Sequence, residues 1–81
     1  MTTYLGALYH GDERLALHRD GDLIHWEAAW RGSSTGPPRR AHDAIEQWIT
    51  SVTDDWTAQA ELRRRALDIR ARIDQKETDH D

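Results

Sequence analysis

Apolar residues in the middle of the chain follow a helical repeat. Between Arg40 and Val52 they recur at steps of three and four, and polar residues fill the opposite side. This spacing is typical of an amphipathic helix that covers another surface. It therefore predicts a helix over residues 40–52 with an apolar face made of Ala41, Ala44, Ile45, Trp48, Ile49 and Val52.

Alternating apolar and polar residues before this helix predict strands over residues 3–10, 14–19 and 22–30. Asp20-Gly21 between the second and third strands favours a two-residue type I′ hairpin, which pairs Leu17 with Ile24. Alternation then places one apolar face under the helix, formed by Leu15, Leu17, Ile24, Trp26, Ala28 and Trp30. The reverse face carries His18, Leu23, His25 and Glu27.

Two registers are open for the first strand. A three-residue loop over residues 11–13 gives the better apolar match, because it places on the apolar face Leu5, Ala7 and Tyr9. A loop of two or four residues places there instead Tyr4, Gly6 and Leu8. A glycine inside a strand weakens the strand or marks a bulge, and Gly6 is such a glycine.

The rest of the chain completes an α+β fold, a three-stranded antiparallel β-meander followed by two α-helices. Residues 31–39 are rich in Gly, Ser and Pro and are predicted to be a connecting loop. A second helix is predicted over residues 54–76, and one bent helix over residues 40–76 is the alternative. Residues 1–76 form a single domain in this prediction, and residues 77–81 form a frayed acidic tail.

The second predicted helix has two apolar stripes, whereas packing on its own domain requires only one. The first stripe has the four-three-four spacing of a short coiled coil and predicts a homodimer seam, formed by Leu62, Ala66, Ile69 and Ile73. The second stripe contains Trp56, Ala60, Leu67 and Ala71. The excess apolar surface indicates that this helix contacts a partner.

Composition limits the classes of protein that this chain can belong to. The 81 residues carry a net charge of −4, and the chain has no cysteine, which excludes disulfides and thiolate zinc sites. No signal peptide is apparent, and no apolar run approaches the roughly 20 residues that span a bilayer. We therefore expect a cytoplasmic protein with no membrane contact.

Residue types that carry catalysis or bind metals occur without the spacing that their chemistry needs. The five histidines form no H-x-x-H or H-x-x-x-H pair, and no Cys could complete a ligand set. Ser33, Ser34 and Thr35 lie outside any nucleophile motif. We therefore expect no enzyme activity, no catalytic residue, no cofactor and no metal site.

Five arginines are concentrated in the second predicted helix: Arg63, Arg64, Arg65, Arg70 and Arg72. Glu61–Arg65 and Asp68–Arg72 are favourable i,i+4 pairs, which indicates a solvated, salt-bridged helix. The same arginines also suit a protein interface or, less well in an acidic chain, nucleic acid. Nucleic-acid binding is therefore kept as the less favoured interpretation.

The pattern as a whole favours a small non-catalytic protein that binds a protein partner and acts by steric occupation. Trp56 and Leu67 are the predicted apolar anchors, because Trp is enriched in interface hot spots. The predicted charged contacts are Arg63, Arg64 and Arg70. The alternative is a nucleic-acid-binding regulator or antitoxin that uses the helix over residues 63–72.

Two resemblances bear on these expectations. The order strand, strand, strand, helix over residues 4–52, closed by AHDAIEQWI, resembles the β-β-β-α unit of HicB-type antitoxins. That resemblance implies a toxin partner and an appended segment that binds operator DNA. A short, acidic, cysteine-free chain with an Arg-rich helix also resembles, in kind, phage-encoded inhibitors such as anti-CRISPR proteins. That resemblance implies a host nucleoprotein complex as the partner.

Overall fold

The computed structural model describes residues 2–29 and 31–75. They form a four-stranded antiparallel sheet, in the spatial order β1-β2-β3-β4, followed by two helices. The elements are β1 (Thr2–His10), β2 (Glu13–Asp20), β3 (Leu23–Ala28), β4 (Gly32–Gly36), α1 (Pro38–Val52) and α2 (Trp56–Asp74). The α+β class is as predicted, but the meander has four strands instead of three.

The additional strand β4 lies where a loop over residues 31–39 was predicted. It pairs with β3 through backbone hydrogen bonds, and of its five residues only Gly36 is buried. An edge strand of small polar residues is stabilised by its backbone pairing and has no apolar alternation to reveal it. The preceding strand ends at Ala28. Trp30, which was assigned to the apolar face, lies outside the described residues.

The pairing of β2 with β3 differs from the predicted one by two residues. Leu17 lies opposite Trp26 instead of Ile24, because the two-residue loop is Gly21-Asp22 and not Asp20-Gly21. Gly21 occupies the left-handed position of this turn, at φ 66°. A shift by an even number of residues leaves each side chain on its original face, so both predicted faces of this hairpin are confirmed for the residues paired between β2 and β3.

The loop between β1 and β2 has two residues, because His10 pairs with Glu13. The preferred three-residue loop was therefore wrong. Leu8 lies opposite Leu15 and is buried, whereas Tyr9, which the preferred register placed in the core, is exposed.

A β-bulge in β1 explains why neither simple register was sufficient. The pairing shifts between Tyr4 and Gly6, and the extra residue changes the phase of alternation. Leu5 and Leu8 are three residues apart, yet both are buried. Gly6 has φ 143°, and a Cβ on it would lie 2.8 Å from Cγ1 of Ile69. The bulge and its glycine therefore allow α2 to pack directly on the backbone of β1.

Helix α1 has the predicted apolar face, with Ala41, Ile45, Trp48 and Ile49 buried. It begins two residues earlier than predicted, at Pro38, because a proline fits the first helical turn, where its missing N–H costs nothing. Thr53 and Asp55 are extended, so α1 and α2 are separate helices and not one bent helix. Helix α2 begins at Trp56, two residues later than predicted, because Asp55 is its N-cap, and it ends at Asp74. The predicted tail over residues 77–81 lies outside the described residues.

One apolar core lies between the sheet and both helices. The first apolar stripe of α2, here called the inner stripe, belongs to this core and consists of Leu62, Ala66, Ile69 and Ile73. These four side chains are at most 4% exposed. The assignment of the inner stripe as a dimer seam was therefore wrong, since the chain itself covers these residues.

Candidate interaction surface on the second helix

The side of α2 that faces away from the core carries the second apolar stripe. This outer stripe consists of Trp56, Ala60, Leu67 and Ala71, and all four residues are exposed. At about 100° per residue the four positions fall within a sector of about 60°. Trp56 is 74% exposed and Leu67 is 62% exposed. Large apolar side chains aligned on one exposed face are the usual mark of a contact surface.

Trp56 is the first residue of α2, and hydrogen bonds around it define where the helix begins. The side chain of Asp55 caps the helix by accepting a hydrogen bond from the backbone N–H of Thr57. Gln59 Nε2 donates to the carbonyl of Thr53 at 2.8 Å. The exposed indole therefore stands on a capped helical turn and not on a loose connection.

A group of charged and polar side chains joins α1 to α2. This inter-helix ion cluster contains His42, Glu46, Arg63, Arg70 and Asp74. Arg63 donates two hydrogen bonds to the carboxylate of Glu46, and Arg70 Nη2 lies 3.8 Å from the same carboxylate. Arg63 and Arg70, which were predicted to contact a partner, therefore hold the two helices of this chain together.

The ion cluster also defines the tautomer of His42. Arg70 Nη1 lies 3.0 Å from His42 Nδ1, and His42 Nε2 lies 2.8 Å from Asp74 Oδ1. A guanidinium can only donate, so Nδ1 of His42 must accept. With Nδ1 accepting from Arg70, Nε2 of His42 is the nitrogen that donates to Asp74.

Charge pairing shifts the pKa values of the carboxylates on this side of the molecule. The hydrogen bonds from Arg63 hold the pKa of Glu46 below its usual range, and the same pairing raises the pKa of Arg63. Within α2, hydrogen bonds from Arg64 and Arg65 lower the pKa of Glu61. Each of these two carboxylates is shared by two arginines, so the pairing offsets part of the positive charge of α2.

The two predicted i,i+4 pairs of α2 have different outcomes. Glu61 and Arg65 form theirs at 3.1 Å. Arg72 instead donates to the backbone carbonyl of Leu5 at 2.9 Å, next to the bulge in β1. Asp68 therefore does not receive the hydrogen bond that the sequence assigned to it.

Arg19 on β2 is a contact that the sequence did not indicate. Its Nη2 donates to backbone carbonyls at the end of α2, those of Arg72, Ile73 and Gln75. The last carbonyls of a helix have no partner within the helix, so a cation there both pairs them and suits the helix dipole. The C-terminal end of α2 is thus hydrogen-bonded to the sheet through Arg19.

The reverse face of the sheet is a second exposed surface. One row of side chains crosses all four strands, in the order Tyr4, His18, His25 and Thr35. The Tyr4 and His18 rings are 5.3 Å apart, and His25 Nδ1 lies 2.9 Å from Thr35 Oγ1. Across residues 2–29 and 31–75, no three His, Asp or Glu side chains lie close enough to hold a metal ion.

An open cleft of about 320 Å³ lies between α1 and the β3–β4 end of the sheet. Leu15, Trp26 and Trp48 supply apolar lining, and the polar lining includes Arg31, Ser33, Ser34, Gln47 and Ser51. The indole Nε1 of Trp48 is buried and has no hydrogen-bond partner in the described part of the chain. The lining residues include no carboxylate or imidazole that would accept a proton from a serine hydroxyl.

The sequence predicted Trp56, Arg64 and Leu67 as contact residues, and all three side chains are exposed on α2. It could not foresee that Glu46 of α1 would engage Arg63, because nothing in either helix alone indicates how the two cross. Helices that follow each other in the chain often pack side by side. An acidic residue on the polar face of α1 could therefore have indicated an ion pair with an arginine of α2.

Helix α2 is 19 residues long, and charged residues interrupt its apolar positions throughout. In the described part of the chain, no helix is long and apolar enough to cross a membrane. No protein-family model, curated protein or solved structure matches this chain.

Proposed function

We propose that this protein is a small non-catalytic inhibitor or regulator that binds a protein partner and occupies its surface. The outer stripe of α2 is the proposed contact surface. The observation that carries this proposal is the 74% exposure of Trp56 on a capped helical turn. A tryptophan left in solvent loses the free energy that burial would supply, and a partner surface recovers it.

The rest of α2 supports Trp56 as a rigid platform. Leu67 lies on the same face, about 16 Å further along the helix at 1.5 Å per residue. Arg64 lies beside the stripe with its side chain 71% exposed, and suits the rim of an interface. Because α2 is held by the ion cluster and by Arg19, little conformational entropy is lost when the stripe is covered.

The resemblance in kind to phage-encoded inhibitors suggests the class of partner. We propose a surface of a host nucleoprotein complex, which places the action in the cytoplasm. The protein would act by blocking the surface that it covers, since the proposed contact residues are apolar anchors with a charged rim.

The less favoured interpretation is nucleic-acid binding by the arginines of α2. It predicts arginines that are free to contact phosphate. Arg63 is paired with Glu46, and both Arg64 and Arg65 are paired with Glu61. Phosphate would have to displace these carboxylates before it released counterions. The pairing therefore favours a protein partner.

The test is affinity capture from a lysate of the source organism on the immobilised full chain. We compare the unchanged chain with Trp56→Ala and with Tyr9→Ala, an exposed aromatic on the sheet that serves as the matched control. Trp56→Ala should reduce capture of a specific protein at least about tenfold, as expected for a hot spot. Tyr9→Ala should leave it unchanged.

Two results would contradict this proposal. Loss of capture with Tyr9→Ala alone would move the contact to the sheet. Capture of nucleic acid with a steep salt dependence, equal for the unchanged chain and Trp56→Ala, would establish the nucleic-acid interpretation instead.

A further inference from the structure

The outer stripe of α2 has a symmetry about its own midpoint. Large and small residues are arranged so that reversing the helix exchanges them. Trp56 lies as far before the midpoint, between residues 63 and 64, as Ala71 lies after it. Ala60 and Leu67 are related in the same way. These separations from the midpoint are about 11 Å and about 5 Å at 1.5 Å per residue.

We infer that the outer stripe is a self-association surface, on which a second copy of this chain binds with its α2 antiparallel. In that arrangement Trp56 of each copy lies against Ala71 of the other, and Leu67 lies against Ala60. Every large side chain meets a small one, as packing between close helices requires. A two-fold axis also makes both contacts occur twice, as in an isologous dimer.

A parallel arrangement does not have this complementarity. It would place the two Trp56 side chains opposite each other and the two Ala60 side chains opposite each other. Large side chains would then hold the helices apart where the small ones leave a void. The spacing of the stripe thus selects the antiparallel orientation.

At the centre of the stripe the two-fold axis places Arg63 opposite its own copy on one edge and Arg64 opposite its own copy on the other, and carboxylates of the same chain offset part of this repulsion. Arg63 and Arg64 flank the midpoint on opposite edges of the stripe. Arg63 is paired with Glu46 and Arg64 with Glu61. Paired arginines at the edge of a helix contact can cover apolar surface with their stems while their charges stay in water.

The available area indicates a weak dimer. Each copy contributes two large side chains, and a buried aromatic side chain accounts for only about 150–250 Å². Specific, stable interfaces bury at least about 1,200 Å² in total. The dimer should therefore dissociate rapidly, and a partner with a larger complementary surface should displace the second copy. Self-association would then keep the outer stripe covered until a partner binds it, a consequence that rests on the proposed function.

The first experiment is sedimentation equilibrium of the full chain from micromolar to millimolar concentration. The mean mass of the unchanged chain should rise towards that of a dimer, and Trp56→Ala should weaken association at least about tenfold. Tyr9→Ala should associate like the unchanged chain. A chain that stays monomeric throughout, or one that loses association with Tyr9→Ala only, would overturn the inference.

Orientation is tested by cross-linking, because the chain has no cysteine of its own. Chains carrying Ala60→Cys and Leu67→Cys are mixed and treated with a short bis-maleimide. Random pairing of equal amounts already gives the mixed product at about twice the yield of either homodimeric product. Antiparallel pairing predicts a larger excess than this, since the mixed pair also keeps one native contact between Ala60 and Leu67, and an excess no larger than twofold would contradict it. An Ala60→Cys homodimer as the main product would establish a parallel arrangement and overturn the proposed one.

The two proposals fail separately. A chain that is monomeric at millimolar concentration, but loses its captured protein with Trp56→Ala, removes self-association and leaves the proposed function in place. A chain that dimerises through the outer stripe and captures no protein supports self-association and removes the proposed function.

Discussion

The two faces of α2 carry similar apolar stripes, but one stripe is buried and the other is exposed. The inner stripe is part of the core, with every side chain at most 4% exposed, whereas Trp56 and Leu67 on the outer stripe are mostly in solvent. Leu62 and Leu67 are identical residues in the same helix, five positions apart. Their difference shows that apolar periodicity locates a face, but only the neighbouring elements decide whether that face becomes core or contact surface.

The largest expected effect comes from this matched pair of leucines. Leu62→Ala should lower the free energy of unfolding by about 2–5 kcal/mol, because it removes buried contacts and leaves a cavity. Leu67→Ala should change it by no more than about 0.5 kcal/mol, since the side chain is already in water. Urea unfolding of both variants measures the difference. Equal losses would mean that the two stripes are equally buried in solution.

The next effect concerns how closely the inner stripe approaches β1. Gly6→Ala should destabilise the fold by about 1–3 kcal/mol, because the new Cβ would overlap Ile69 at a backbone position with φ 143°. Gly21→Ala is the control, since it has φ 66° and open space around its Cβ. The control should lose less stability in thermal unfolding. A Gly6→Ala loss no larger than that of Gly21→Ala would show that Ile69 does not pack on the bulge.

A smaller effect is expected where β2 holds the end of α2. Arg19→Ala should cost about 0.5–1.5 kcal/mol and speed amide hydrogen exchange in the last turn of α2, because the terminal carbonyls lose their donor. Arg14→Ala, an exposed arginine on the same strand, should change neither quantity appreciably. Unaltered exchange in Arg19→Ala would mean that water satisfies these carbonyls equally well.

The smallest effect is electrostatic and depends on pH. The pKa of Glu46 in the folded state is lowered from 4.5, so its pairing with Arg63 stabilises the fold above about pH 4.5. That stabilisation is lost as pH falls through the folded pKa. Glu46→Gln should therefore cost about 0.2–1 kcal/mol at pH 7 and should reduce the loss of stability on acidification.

The variant for comparison is Glu61→Gln, which removes a second carboxylate whose pKa is lowered and should likewise reduce the loss of stability on acidification. Glu61 pairs only within α2, so its loss should not loosen the contact between the two helices. Urea unfolding at pH 7 and below pH 4 compares the two variants. A steeper acid dependence in Glu46→Gln than in the unchanged chain would contradict the assigned direction of the pKa shift.

Much of the fold was predictable where a local pattern has one solution. The apolar face of α1 was predicted correctly, because six residues at helical spacing can share only one side of a helix. The faces of β2 and β3 were also correct although their pairing was wrong, since an error of two residues does not exchange the faces. The α+β class followed from these elements.

Other features could not be predicted, and each has a specific physical cause. Strand β4 is held by backbone hydrogen bonds, which do not require alternating apolar and polar side chains. The bulge at Leu5 breaks the alternation on which the register of β1 depended. For the candidate site, the excess of apolar surface on α2 was predictable. Which stripe is exposed, and that Glu46 engages Arg63, depend on how the elements pack.

The sequence by itself determined which residues share a face, since the rotation per residue is a local property of helices and strands. It therefore determined that α2 has two apolar stripes. Only the tertiary structure decided which stripe is covered, because the covering surfaces belong to β1, α1 and the bulge that lets Ile69 approach Gly6. Burial depends on contacts between elements distant in sequence, and no periodicity within one element contains that information.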